Sequence, residues 1–168
     1  MSSSTERAAP RGLAALALAA ALAGCAVNAP APPRPAGYGD AGRLIGAHLG
    51  TRVLAERCAG LDPELARDLD AALAGWRWRN DGLVADVERR MWATVAAGAS
   101  PAELEAARSS FARTLEGIAA ELADWFRRWP ADRQTAFCGR LAGRLALGED
   151  DLERRYPAEL RRWQGATR

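Results

Sequence analysis

Few groups in this chain are spaced for catalysis. His48 is the only histidine, so a Ser-His-Asp relay would have to use it, and no nucleophile-elbow pattern accompanies it. One histidine supplies neither a His-rich metal site nor the Glu-x-x-His pairs of di-iron bundles. Set beside Leu44, Ile45 and Leu49 at helical spacing, it reads as a packed or boundary residue. Three local carboxylate pairs stand out: Asp68 with Asp70, Asp86 with Glu88, and Glu121 with Asp124. Two carboxyls about 5–10 Å apart can cleave a glycosidic bond, but such pairs recur on every solvated helix face. Glu149-Asp150-Asp151 suits a helix N-terminus, where the dipole favours acids; a calcium loop needs more oxygen ligands at fixed spacing. There is no P-loop and no Gly-x-Gly-x-x-Gly. No catalytic residue, metal ligand or cofactor is assigned.

The most distinctive local string is Trp76-Arg77-Trp78-Arg79-Asn80. Trp76 continues an apolar helical stripe, whereas Trp78, two residues on, points roughly 200° away from it. Trp and Arg are enriched at binding hot spots, which makes Trp78 and Arg79 candidate partner-binding residues. The alternative is that Trp78 packs under the C-terminal tail or against the first or fourth helix. Trp92, next to Met91, is a candidate on the same terms.

Helices must position these groups, since no strand-like alternation occurs and β-branched residues are few. The first helix runs from about Ala41 to Cys58, with Leu44, Ile45, Leu49, Val53 and Leu54 at three- and four-residue steps. Asp62-Pro63-Glu64 restarts the chain as N-cap, first-turn proline and dipole-facing acid. The second helix carries Leu65, Leu69, Leu73, Trp76, Leu83, Val87, Met91 and Val95 and stops at Gly98; a break at Asn80-Asp81-Gly82 is the alternative. Ser100-Pro101-Ala102-Glu103 is a capping box. The third helix, ending at Trp129-Pro130, sets Phe111, Leu115, Ile118, Leu122, Trp125 and Trp129 in a heptad-like seam that wants a partner helix. The fourth spans about Ala131 to Leu147, with Gly148 as its stop. A shorter fifth piece begins near Asp150, is interrupted at Pro157, and places Leu152, Tyr156, Leu160 and Trp163 on one side.

The N-terminus has a different character. Arg7 and Arg11 precede an apolar run from Leu13 to Leu22, followed by small residues and then Cys25. That is the layout of a secretory signal, and at about 10 residues the run is half of what a membrane span needs. Leu22-Ala23-Gly24-Cys25 resembles the lipobox of bacterial lipoproteins. The resemblance covers the first 25 or so residues. It implies cleavage after Gly24, a diacylglyceryl group on the Cys25 sulfur and an acylated amine (two or three chains in all), enough for stable membrane anchoring. Ala26, where an Asp would signal inner-membrane retention, points to the periplasmic face of a Gram-negative outer membrane. From Ala26 to Asp40, four prolines and two glycines form a tether able to hold a domain up to ~45 Å from the headgroups. The domain layout expected is thus signal 1–24, lipidated tether 25–40 and helical domain 41–168.

Without residues 1–24 the chain holds 21 Arg against 20 Asp and Glu. It lacks the basic stripe of a nucleic-acid binder. Every basic residue is Arg and none is Lys, the mark of a GC-rich bacterial genome. In an oxidising compartment the two remaining cysteines, Cys58 and Cys138, are expected to form a bridge. Short connections make neighbouring helices antiparallel, so an up-down-up-down bundle brings the end of helix one to the start of helix four, and both cysteines with them. Closing a loop of this length stabilises by up to ~4.5 kcal/mol.

The expected architecture is therefore all-α: an antiparallel bundle of four main helices plus a short C-terminal helix, with one disulfide. Helix two reaches ~50 Å and helix three ~43 Å, while helices one and four reach only ~25 Å. The far half of the long hairpin, from Leu83 to Phe111, then needs the tail as cover, and an apolar groove remains wherever the tail falls short. The function expected is a non-enzymatic adaptor or assembly factor at the outer membrane, with a protein partner there or in the periplasm. Pilotins, the small lipoproteins that escort secretin subunits, look similar in length, anchor and composition, which is an analogy of architecture alone. A periplasmic inhibitor or immunity-type protein is the alternative, and a cell-wall hydrolase using paired carboxylates the second.

Overall fold

Six helices make up the described residues, 38–166, of the computed structural model: α1 (Tyr38–Ala59), α2 (Pro63–Ala96), α3 (Pro101–Arg127), α4 (Ala131–Ala146), α5 (Leu152–Arg155) and α6 (Pro157–Ala166). No strand occurs among them. The signal segment, Cys25 and the tether up to Gly37 lie outside the described residues. All described residues belong to the compact unit Arg34–Arg168.

Helix ends follow from local chemistry. The Asp62 carboxylate accepts from the Glu64 N–H at 2.7 Å and the Leu65 N–H at 3.3 Å, which satisfies donors that the first turn of α2 leaves free. Ser100 and Glu103 form the reciprocal capping box at α3. Gly148 ends α4 at φ +67°, where its N–H donates to the Leu145 carbonyl and the Glu149 N–H to the Arg144 carbonyl; this is the Schellman pairing that favours glycine. A Cβ there would also meet the Asp151 carboxylate at 2.8 Å.

Two helix boundaries correct the sequence expectation, and two readings hold. α1 begins at Tyr38, inside the expected tether. α3 ends at Arg127, just before Trp129, since Pro130 disfavours helical geometry at the residue before it; the Gln134 side chain of α4 then donates to the Trp129 carbonyl at 2.8 Å and reaches the Phe126 and Arg127 carbonyls. The C-terminal piece is interrupted at Pro157, as expected, and so forms two short helices: Pro157 disfavours helical geometry at Tyr156, which sits at φ −127°, ψ 44°. α2 bears out the continuous reading and not the break: it is one helix through Asn80-Asp81-Gly82, for a reason that lies in the tail.

Two apolar clusters form the core. One joins Ala55 and Cys58 of α1 with Leu69 and Trp76 of α2, Phe126 of α3, and Cys138, Leu141 and Leu145 of α4. The Cys58–Cys138 disulfide lies within it, spanning 5.4 Å between Cα atoms and 80 residues of sequence. The other joins Ala41, Leu44 and Ile45 of α1 with Val84, Val87 and Met91 of α2 and with Leu152, Leu160 and Trp163 of the tail. The tail thus covers the far half of α2, as its length allowed. α1 is the central element: it packs most heavily against α2, then against α3 and α6, while α4 packs on α2. Chain neighbours α2 and α3 touch only lightly, and their ring contact is Trp92 on Phe111 at 5.5 Å, edge to face.

Candidate functional site

The polar groups gathered in the interior converge on Trp76, Asn80 and the Asp150-Asp151 turn. The Trp76 indole is fully buried and its N–H donates to the Asp150 carbonyl at 2.9 Å. Asn80 is buried as well. Its amide donates to the Trp76 carbonyl and to Asp151 Oδ1, and its Oδ1 accepts from the Leu152 N–H at 2.8 Å. A low-propensity residue that would otherwise weaken α2 thus holds the N-terminus of α5 to it. Asp150, also buried, accepts from Arg144 at 2.9 Å and from Arg155 at 2.6 Å, so its charge is paired, as burial requires. Arg79 donates to Asp151 at 2.8 Å and to the Leu145 carbonyl at 2.7 Å. Arg79, a candidate contact residue by sequence, is committed to holding the tail. Asp150 and Asp151 belong to the same clamp; no group of acids, Cys and His among the described residues is arranged to hold a metal ion.

His48 stacks on Trp76, ring centroids 5.0 Å apart and 25° between planes, and its Nε2 lies 2.7 Å from Asp81. Burial alone would raise the Asp81 carboxyl, but hydrogen bonds from His48 and Arg77 outweigh it and the net shift is downward. The arrangement fixes a ring against the core. A glycosidase needs one carboxyl raised to act as acid. The four carboxyls with resolved shifts, Asp40, Asp81, Glu103 and Asp124, all move down. Asp86 pairs with Arg89 and Arg90, and Asp124 with Arg127. Among the described residues no buried side-chain nitrogen or oxygen lacks a partner.

The surface is more informative. Trp78 is 87 % exposed, which overturns the packed alternative for it: the tail seats beside Trp76 and Asn80, on the other side of α2. The flanking Arg77 bonds Asp81 four residues on. Trp92 is half-buried, with Phe111 against its ring and the Arg108 guanidinium 5.7 Å from its centroid, and so it contributes chiefly to packing. An apolar groove lies elsewhere than the stretch from Leu83 to Phe111 where one was expected. It runs between α1 and the C-terminal half of α3, about 570 Å³ in volume, lined by Gly46, Gly50, Ile118, Leu122 and Trp125 with Glu121, Asp124 and Arg128 on its rim. Sequence reasoning flagged the α3 seam but missed the floor. The signal was there in Gly42, Gly46 and Gly50, which fall on one face of α1 at four-residue steps.

A second trough, of about 610 Å³, lies along the junction of α2 and α4; its lining includes Ala71, Ala72, Gly75 and Ala142 with Asp68 and Arg79. Among the described residues no helix is long and apolar enough to cross a membrane. No protein-family model, curated protein or solved structure matches the chain.

Proposed function

We propose that this protein is a lipoprotein anchored through Cys25 at the periplasmic face of the outer membrane, where it acts as a non-enzymatic adaptor or assembly factor. The anchor rests on the lipobox-like Leu22-Ala23-Gly24-Cys25. The adaptor reading rests on one observation above all, the 87 % exposure of Trp78 on a continuous helix. A large amphipathic side chain held on a rigid element costs little entropy to dock. The long helices run up, down, up and down in this reading. Support comes from which residues share a cluster: early α1 (Leu44) sits with late α2 (Val87), and late α1 (Cys58) with early α2 (Leu69) and early α4 (Cys138).

The inhibitor alternative would present its contacts on a protruding loop. The connections among the described residues are short turns, the longest running from Leu147 to Asp151, and that favours the adaptor. The test places a photo-crosslinking residue at Trp78 in cells and a control at Arg113 on α3. The adaptor reading expects one discrete envelope-protein adduct from position 78 and none from 113. Identical adducts at both sites, or none at 78, would sink it. Cys25→Ser tests the anchor separately: the protein should leave the membrane fraction, and retention there would refute lipidation.

A further inference from the structure

The C-terminal half of α3 carries apolar surface that its own chain leaves open. Ile118 is 41 % exposed and Trp125 43 %. Facing them, α1 offers glycines. Nothing lies within 4 Å of where a Gly46 Cβ would be, and a Gly50 Cβ would meet only a Leu122 methyl at 3.4 Å. How closely two helices approach depends on the side chains between them, so this floor admits another helix. We propose that the occupant is a second copy of this chain, whose own α3 lies antiparallel across the groove about a two-fold axis.

Two observations select that occupant. Knobs (Ile118, Trp125) and a hole (Gly46, Gly50) sit on the same patch, and an isologous interface needs that self-complementarity. The charges on the rim are also self-complementary. In an antiparallel seam with the axis between Leu122 and Trp125, Leu122 of one copy meets Trp125 of the other. The flanking positions are then Glu121, one residue before Leu122, and Arg128, three residues after Trp125. Each Glu121 faces Arg128 of the second copy, and symmetry makes the pair twice. Asp124, the other acid on the rim, is held by Arg127 of its own chain. The interface lies on α1 and α3, away from Trp78, and does not depend on the adaptor reading.

The test is the self-association of the purified full-length chain, followed by sedimentation velocity. The unaltered chain should form a dimer. Glu121→Arg alone, or Arg128→Glu alone, creates two like-charge contacts and should weaken the dimer by about ten- to a hundredfold. The combined Glu121→Arg/Arg128→Glu protein restores both pairs in reverse and should recover most of that loss. Both residues are at the surface, so helicity should not change in any of the three. Ile118→Glu should abolish the dimer while preserving the fold. An unaltered chain that stays monomeric at about 100 μM, where even a weak dimer would be populated, overturns the proposal. So do single swaps without effect, or a combined variant as weak as either single one.

Discussion

α2 and α3 are both long, regular amphipaths, yet the molecule treats them differently. α2 buries Leu69, Trp76, Asn80, Val84, Val87 and Met91; it packs against α1 and α4, and its far residues share a core cluster with the tail. α3 buries only Ala123 and Phe126 and leans chiefly on α1, although its apolar seam is the more regular in sequence. The difference teaches that an apolar stripe states a demand for cover without deciding who supplies it. Cover goes where polar anchors direct it. On α2 the Trp76 N–H, the Asn80 amide and the Arg79 guanidinium take hold of Asp150, Asp151 and Leu152, and the apolar residues of the tail then fall onto Val84, Val87 and Met91. α3 displays no such anchors toward the tail, so its seam stays half open.

Trp76→Ala should therefore break the comparison most severely. It empties a fully buried site, removes the partner of the Asp150 carbonyl and leaves His48 without the ring it stacks on. A loss of about 3–5 kcal/mol is expected, measured as a fall in the denaturant midpoint. The same truncation at Trp125 on α3, 43 % exposed, should cost less than half as much. Equal losses at the two sites would mean that the seam of α3 is as well covered as that of α2.

Next in size is Cys58→Ser. The bridge closes a loop of 80 residues, and removing it should cost about 2–4 kcal/mol. That cost should fall on the cluster holding Trp76 and Leu141, while the tail-covered cluster keeps its hydrogen-exchange protection until global unfolding. An unchanged midpoint would show that the two clusters do not depend on this cross-link.

Much of this was legible in residue order. Asp62, Ser100 and Gly148 act through hydrogen bonds reaching only a few residues, and Pro157 through a clash with its neighbour, so their effect on helix ends could be read locally. The Cys58–Cys138 pairing followed from counting helices. What could not be read was the role of Asn80 and Arg79. In sequence one is a weak helix former and the other a free cation; both become tail anchors only when residues about 70 positions away arrive. The groove was misplaced for the same reason. Whether Leu83 to Met91 or Ile118 to Trp125 stays open depends on where the tail lands, a long-range choice made by partners that no periodicity contains.

Asn80→Ala sharpens the comparison at smaller scale. It strips the Leu152 N–H of its buried acceptor and Asp151 of one donor, at a cost of about 1–3 kcal/mol. Because the lost bonds belong to the tail, amide exchange should accelerate in α5 and α6 before it does in α3. Uniform acceleration would mean that the tail unfolds only with the whole molecule.

The smallest effect expected is a dependence on acid that again separates the two regions. Asp40, in the first turn of α1, accepts two bonds from Arg162 of α6, at 2.7 and 3.1 Å. Those hydrogen bonds hold its carboxyl below the usual carboxylate value; burial opposes them, and the charges of Arg162 and Arg43 add to the lowering. A group whose pKa is lower folded than unfolded contributes stability above its unfolded value, near 3.9, and loses it as pH falls through the folded one. Asp124 of α3 is lowered too, but by Arg127 on the same helix. Its hydrogen-bonding partner lies on its own helix, so protonating it breaks no hydrogen bond between helices. Acidification from pH 6 toward pH 3 should therefore loosen α6 from α1 while α3 keeps its exchange rates, and Asp40→Asn should flatten that acid response where Asp124→Asn does not. If both variants respond alike, the link between Asp40 and Arg162 is no more than a solvated surface pair, and the hold on the tail comes from its other anchors, Trp76, Arg79 and Asn80 among them, and from its apolar face.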